Sequence, residues 1–341
     1  MTKILTTLGP SSLDMQTIHA MDREDVYLYR INMSHTAIDK LRNTIELIQN
    51  STSTPICIDS EGAQLRNNYM ENDNVLFRLG STINIHYSNI VGDCNNISFN
   101  HIKAPDLLSI GDEIGIDFYG AKVQVIESTK DCGQALVISE GVVGSNKAVT
   151  VNKKIPLPAI TEKDIAAIQI AREMGVRNFA YSFANSKSNV IKFRELSGPK
   201  SNVISKIESV EGLMNLDGIT KESDEILIDR GDLSKEVKIE KIPFLQRKII
   251  AYANAIGTPV FVATNLLESM TSNSEPNRAE VNDIVSTLRM GADGLVLAGE
   301  TAIGKYPLEC VRMLRRLIEQ YDAWSSDKGI EDILGPCHLD T

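Results

Sequence analysis

Apolar positions along the chain cluster into short dense runs separated by longer stretches with helical spacing. KILTTLG, VYLYRINMS and PICIDS read as strands near the start, and NFAYSF, NVISKIE, DEILIDRGDL, TPVFVAT and ADGLVLAGE as strands from residue 155 onward. Between the later strands, TEKDIAAIQIAREMGV opens on a Thr-x-x-Asp cap signal and carries Ile165, Ile168, Ile170 and Met174 at roughly helical spacing. Helices are likewise expected over SKSNVIKFREL, over the short VEGLMNLDGI, at 241–256, at 278–290 and over PLECVRMLRRLIEQY. Strands that alternate with helices pair in parallel. The three early and five later strands reach eight, the number that closes an α/β barrel of the (β/α)8 TIM type. The predicted barrel comprises residues 1–67 and 156–324.

Residues 68–155 break that rhythm. DNVLFRLGSTINIHY, DEIGIDFYGAKVQVIES and ALVISEGVVGSNKAVTV are β-rich, with turn signals at Gly80, Gly92 and Asp112. The expectation is a small inserted β-barrel domain following the third barrel strand. Such an insertion sits over the C-terminal rim of the barrel, where it can serve as a lid. After Trp324 the segment 325–341 leans toward Ser, Asp and Gly and reads as a tail.

Composition narrows the function classes. Of 341 residues, 42% are apolar and 23% charged, the balance of a globular chain with a sizeable core. A net charge of −10, from 35 basic and 45 acidic residues, disfavours nucleic-acid and anionic-membrane partners. Five dispersed cysteines without a C-x-x-C pair read as reduced thiols. The N-terminus runs directly into a strand pattern and no stretch approaches the roughly 18 apolar residues of a membrane span, so a cytoplasmic location is expected.

Candidate chemistry collects at the strand ends: YRINMSH, CIDSEG, SKIES, DRGDLS, VATN and AGET. A solvated loop explains any one of them equally well, but six at the same end of eight strands point to a site. In VISKIESVEG, alternation puts Ile204, Lys206 and Glu208 on one face of a strand, so an apolar face turns charged at its C-terminal end. In an α/β fold ligands bind at that end. Glu208 and Asp232 end adjacent strands and offer two hard carboxylates of the kind Mg²⁺ takes; a structural ion network with Lys206 and Arg230 is the competing reading. Gly231 at a strand end lets backbone amides approach an anion. Asn32, Ser34, Asp59 and Ser60 supply oxygens suited to a weakly held cation, or simply to loop and helix capping. His35 stands alone and reads as structural. No nucleophilic triad, P-loop or G-x-G-x-x-G is present.

The order of KILTTLGPSS, YRINMSH, GSNKAV, LPAITEKD, ISKIES-x-EG, RGDL, ATNLLESM, PNRAE and GADGLVLAGETAIGKYPLE resembles the pyruvate kinase family nearly end to end in the barrel, and more loosely in the insertion. The resemblance implies a kinase of glycolysis that moves phosphate between phosphoenolpyruvate and ADP to give pyruvate and ATP. It further implies that Arg30 and Lys206 hold the transferring phosphoryl group, with Lys206 also stabilising the enolate oxygen, and that Glu208 and Asp232 ligate Mg²⁺ or Mn²⁺. The amides of Gly231 and Asp232, with Thr264, would take the substrate carboxylate. Asn32, Ser34, Asp59 and Ser60 match potassium-site positions, and Lys147 would reach the nucleotide phosphates. Arg66 and Glu300 fall on further active-site positions.

The chain also departs from the family pattern. DSEGAQLR puts Glu61 where a cation is usual and Gln64 where a glutamate linked to the potassium requirement stands. Ala298 replaces a serine placed to relay a proton to the enolate, and Asn265, Asn277 and Ser234 replace glutamine, threonine and glycine. The family's C-terminal domain, which carries a sugar-phosphate effector site, has no counterpart in the sequence. Loss of that control is expected, as is a homo-oligomer or partner covering the face left bare. Two other functions stay open at this point: a phosphoenolpyruvate enzyme with a different acceptor, and a non-catalytic relative that binds phosphoenolpyruvate or a partner.

Overall fold

The computed structural model describes residues 2–72, 74–117, 120–325 and 327–334. The chain forms two compact units, Met1–Gly62 with Ile160–Thr341, and Ala63–Ala159.

In the first unit, eight parallel strands close into a barrel: β1 (Lys3–Thr7), β2 (Leu28–Asn32), β3 (Ile56–Asp59), β4 (Asn178–Tyr181), β5 (Asn202–Ile207), β6 (Glu225–Asp229), β7 (Val260–Ala263) and β8 (Gly294–Leu297). Each strand pairs with its neighbour in sequence and β8 returns to β1, which is the (β/α)8 arrangement that the alternation of elements predicts. Leu5, Leu28, Cys57, Ala180, Ile204, Leu227, Phe261 and Val296, one from each strand, pack together as an apolar layer inside it. Gly294 lies in register with Phe261, and a Cβ there would meet the phenyl ring at 2.2 Å, so the smallest residue on β8 makes room for the largest in this layer. Toward the N-terminal end Lys3 pairs with Glu225 at 2.9 Å and Asn202 donates to the same carboxylate at 3.2 Å, closing the barrel with polar groups.

Helices follow the strands and bury one face against them. Thr161 and Asp164 form the reciprocal cap expected for Glu162–Glu173, and Pro307 starts the long closing helix Pro307–Ala323, where its missing N–H costs nothing. Two sequence expectations change. DEILIDRGDL is strand only to Asp229, because Asp229 caps a helix, Arg230–Glu236, that begins at RGDL. VEGLMNLDGI splits at Asn215 into Val210–Met214 and Leu216–Glu222.

The second unit is β-rich. Val75–Phe77 pairs with Gly141–Val143, and a six-stranded sheet runs in the order Val149–Val151, Glu113–Ile116, Lys122–Ser128, Cys132–Ser139, Thr82–His86, Asn96–Ser98. Alternate residues such as Ile83, Ile85, Val123, Val125, Ala135 and Val137 form its core. Of the tail, Ile330–Leu334 is a short helix with no buried residue; Ser326 and 335–341 lie outside the described residues.

Candidate active site

The residue two steps beyond the apolar layer on each strand shares its inward face and lies nearer the C-terminal rim. Those positions include Thr7, Arg30, Asp59, Ser182, Lys206 and Asp229, all buried and polar. They form one network. Arg30 donates from Nε to Asp59 Oδ2 at 2.7 Å, pairs with the same oxygen through its terminal nitrogen, and donates to Thr7 Oγ1 at 2.8 Å. Lys206 Nζ lies 2.8 Å from Glu208 Oε1, 3.3 Å from Asp59 Oδ2 and 3.5 Å from Asp229 Oδ2, and donates to Ser182 Oγ at 3.3 Å. The face assignment read from VISKIESVEG therefore holds: Ile204 is in the apolar layer and Lys206 projects above it.

Burial sets the electrostatics. It disfavours charge on Lys206, but Asp59, Glu208 and Asp229 outweigh that penalty and move its pKa upward, so the ammonium keeps its proton. Arg30 behaves alike, with Asp59 and Asp229 as its anions. Asp59 feels the same burial in the opposite sense, yet the two cations hold its carboxyl below the ordinary range. Glu208 is different: burial, reinforced by Asp232, Asp229 and Asp59, pushes it up to about 8 against the pull of Lys206. Three buried carboxylates face two buried cations here, and the surplus negative charge is felt at Glu208.

Glu208, Asp229 and Asp232 each bring one oxygen to within 4.8 Å of the others. Glu208 Oε2 accepts from the Phe183 amide at 2.6 Å, whereas Oε1 makes its 2.8 Å ion contact with Lys206 and accepts no hydrogen bond. Asp232 pairs with Lys235 at 2.5 Å. Hard oxygens, surplus negative charge and a buried oxygen without a hydrogen-bond donor together fit a divalent cation of the Mg²⁺ or Mn²⁺ type.

Around the rim, Thr264 follows β7 with φ 72°, a left-handed conformation costly for a β-branched residue, and Asn265 follows at φ 55°. Arg230 secures that turn by donating to the Thr264 carbonyl at 2.5 Å while pairing with Asp283 at 2.6 Å. Thr264 Oγ1 accepts from the Gly231 amide at 2.8 Å, and the Asp232 amide makes a longer 3.4 Å bond to Asp229. Both amides assigned to an anion by resemblance thus have internal partners that an incoming carboxylate must displace. Glu300 is buried and accepts from the Leu267 and Ala298 amides at 3.2 and 2.8 Å, so its carboxylate ties the loop after β7 to the loop after β8.

The proposed potassium oxygens lie on neighbouring strand ends, with Asn32 in register with Asp59. Asn32 Oδ1 accepts from the Ser34 amide at 2.9 Å and Ser60 Oγ from the Ser182 amide at 2.8 Å, while Asp59 is neutralised by Arg30 and Lys206. Lys163, paired with Glu61 at 3.0 Å, also donates to the Met33 carbonyl at 2.5 Å, placing a tethered ammonium on the Asn32–Ser34 loop. The one carboxylate of this set is thus shared by two fixed cations, Arg30 and Lys206.

Arg66 and Lys147 belong to the second unit. They are brought together there: Arg66 bridges Ala148, donates to the Asn146 carbonyl at 2.9 Å, and Lys147 pairs with Asp117 at 3.4 Å. The sequence reading passed over Asp229, Ser182 and Thr7. The alternation that placed Lys206 beyond Ile204 places Asp229 beyond Leu227 in the same way, and was the available signal.

Fold and geometry define an α/β-barrel protein with a buried cation–carboxylate centre at the C-terminal rim. The family described as "Pyruvate kinase, barrel domain" matches residues 1–311. A pyruvate kinase of Thermococcus litoralis is 33% identical over 337 residues, which cover 96% of this chain and 71% of the relative. Those of Geobacillus stearothermophilus and Bacillus licheniformis are 32% and 31% identical, over 93% and 96% of this chain but only 56% and 58% of their own length. The chain belongs to the pyruvate kinase family. Among the described residues no helix is long and apolar enough to cross a membrane.

Proposed function

We propose that the protein transfers a phosphoryl group between phosphoenolpyruvate and ADP, yielding pyruvate and ATP. The observation that carries this reading is Lys206, buried beside Arg30 and facing the carboxylates of Asp59, Glu208 and Asp229 at the barrel rim, which favour its charged form. Phosphoryl transfer is catalysed mainly by positioning and by fixed charge, and a desolvated ammonium acts more strongly than one in water.

Arg30 and Lys206 are assigned to the phosphoryl oxygens, with Lys206 stabilising the charge that develops on the enolate oxygen. The Gly231 and Asp232 amides and Thr264 Oγ1 are assigned to the substrate carboxylate, at the start of a helix whose dipole favours an anion. Glu208 and Asp232 would hold a divalent cation, which when bound supplies Lewis-acid charge for the substrate oxygens. Glu300 acts through the loops it ties and is a positioning residue. Arg66 and Lys147 are assigned to the nucleotide phosphates. Ala298 carries no hydroxyl, so the proton that converts enolate to pyruvate is assigned to water.

The test is pyruvate release from phosphoenolpyruvate, ADP and Mg²⁺, with Lys206→Met as the blank. Turnover that disappears in the variant is expected. Binding of phosphoenolpyruvate without pyruvate release by the unaltered protein would refute ADP as the acceptor.

A further inference from the structure

Asp229 has no part in the ligand set above, yet it occupies the centre of the acidic group. It ends β6 on the inward face, above Leu227, and is 5% exposed. One of its oxygens lies within 4.8 Å of an oxygen on both Glu208 and Asp232. Its two contacts there are long: 3.5 Å to Lys206 and 3.4 Å to the Asp232 amide that it caps. A helix cap alone is served by exposed Ser, Thr or Asn and does not call for a buried anion beside two other carboxylates. The neighbouring Glu208 Oε1 is buried and, apart from its 2.8 Å ion contact with Lys206, accepts no hydrogen bond. One ammonium shared by the buried carboxylates, with three of their oxygens converging on one point, leaves a place for a further positive charge among the three side chains.

We propose that Asp229 is a third carboxylate of the divalent-cation site. The inference rests on the functional reading above and extends it. Mg²⁺ usually takes one or two carboxylates and leaves the rest of its octahedron to water and substrate. A third anion strengthens the hold on the cation before substrate arrives. Asp229 also shares Lys206 with Glu208, so cation binding at the three carboxylates and charge on Lys206 offset one another across the same few ångströms.

The experiment is direct Mn²⁺ binding, read from the electron paramagnetic resonance signal of free Mn²⁺, with neither phosphoenolpyruvate nor ADP present. It compares the unaltered protein with Asp229→Asn, Asp229→Ser and Glu208→Gln, each checked for folding by circular dichroism. Asn and Ser cap helices as well as Asp does, so the local fold survives in at least one of the two. The expected result is a loss of Mn²⁺ affinity of about tenfold or more in the Asp229 variants, the scale typical of altering a metal's polar surroundings. Mn²⁺ affinity unchanged in folded Asp229 variants but lost in Glu208→Gln would overturn the inference and leave the functional reading in place. No Mn²⁺ binding by the unaltered protein would overturn both.

Discussion

Replacing Lys206 by methionine removes the cation on which three buried carboxylates converge while keeping most of the side chain's volume. At the observed 2.8–3.5 Å, each contact is worth about 5 kcal/mol of gross attraction at an effective dielectric constant of about 20. Most of that is offset by the cost of desolvating the ammonium, and truncating one side of a buried ion pair costs about 3–5 kcal/mol in practice. That is a large share of the roughly 5–15 kcal/mol by which a domain is stable. The pH dependence between pH 8 and 5 should also steepen with the substitution, without changing sign. In the unaltered protein the Lys206 pKa is raised, so its contribution is complete below its unfolded value of 10.5 and is lost as pH rises through the higher folded value. In the variant Asp59 is held down by Arg30 alone and the Glu208 carboxyl, freed of the pull of Lys206, rises further, so the folded state binds protons more readily than in the unaltered protein. Stability then climbs as pH is lowered from 8 toward 5, by more than the gain that Glu208 alone gives the unaltered protein. Urea unfolding followed through Trp324, the one tryptophan, reports on the barrel unit. A loss below about 1 kcal/mol at pH 8, the level of an exposed pair, together with no added gain on acidification, would refute the argument.

Asp59→Asn removes the carboxylate that Arg30 and Lys206 hold below its ordinary range. The stability it contributes is present above about pH 4 and lost as pH falls through the lowered folded value, so the acid limb of an unfolding titration should flatten in the variant. Gly294→Ala drives a methyl into the Phe261 ring and should cost about 1–3 kcal/mol in calorimetry, with Phe261→Leu in the same chain recovering part of it. Because fixed cations already neutralise the Asn32, Ser34, Asp59 and Ser60 set, turnover in Na⁺ should match turnover in K⁺; a strict K⁺ requirement would show that those oxygens rearrange to bind it.

Much of this architecture follows from patterns only a few residues long. Alternation within VISKIESVEG was enough to put Lys206 and Glu208 above an apolar layer, and Thr161 with Asp164 announced the start of a helix, because side-chain direction and capping are decided by the nearest turns of backbone. Eight strand–helix repeats likewise imply a closed parallel barrel before any contact is known. What the local pattern leaves open is which charges meet. Asp229 reads as the last residue of a strand until barrel closure sets β6 beside β5 in register and carries its carboxylate to Lys206 and Glu208. Glu300 falls on an active-site position by resemblance, and only the fold shows two loops from neighbouring strands directing amides at it. The segments that carry Arg66 and Lys147 pair with each other across most of the inserted unit. Electrostatic partnership depends on strand order and register over tens to hundreds of residues, whereas strand and helix formation depend on neighbours. The elements are therefore properties of the sequence, and the balance of charge at the site is a property of the closed barrel.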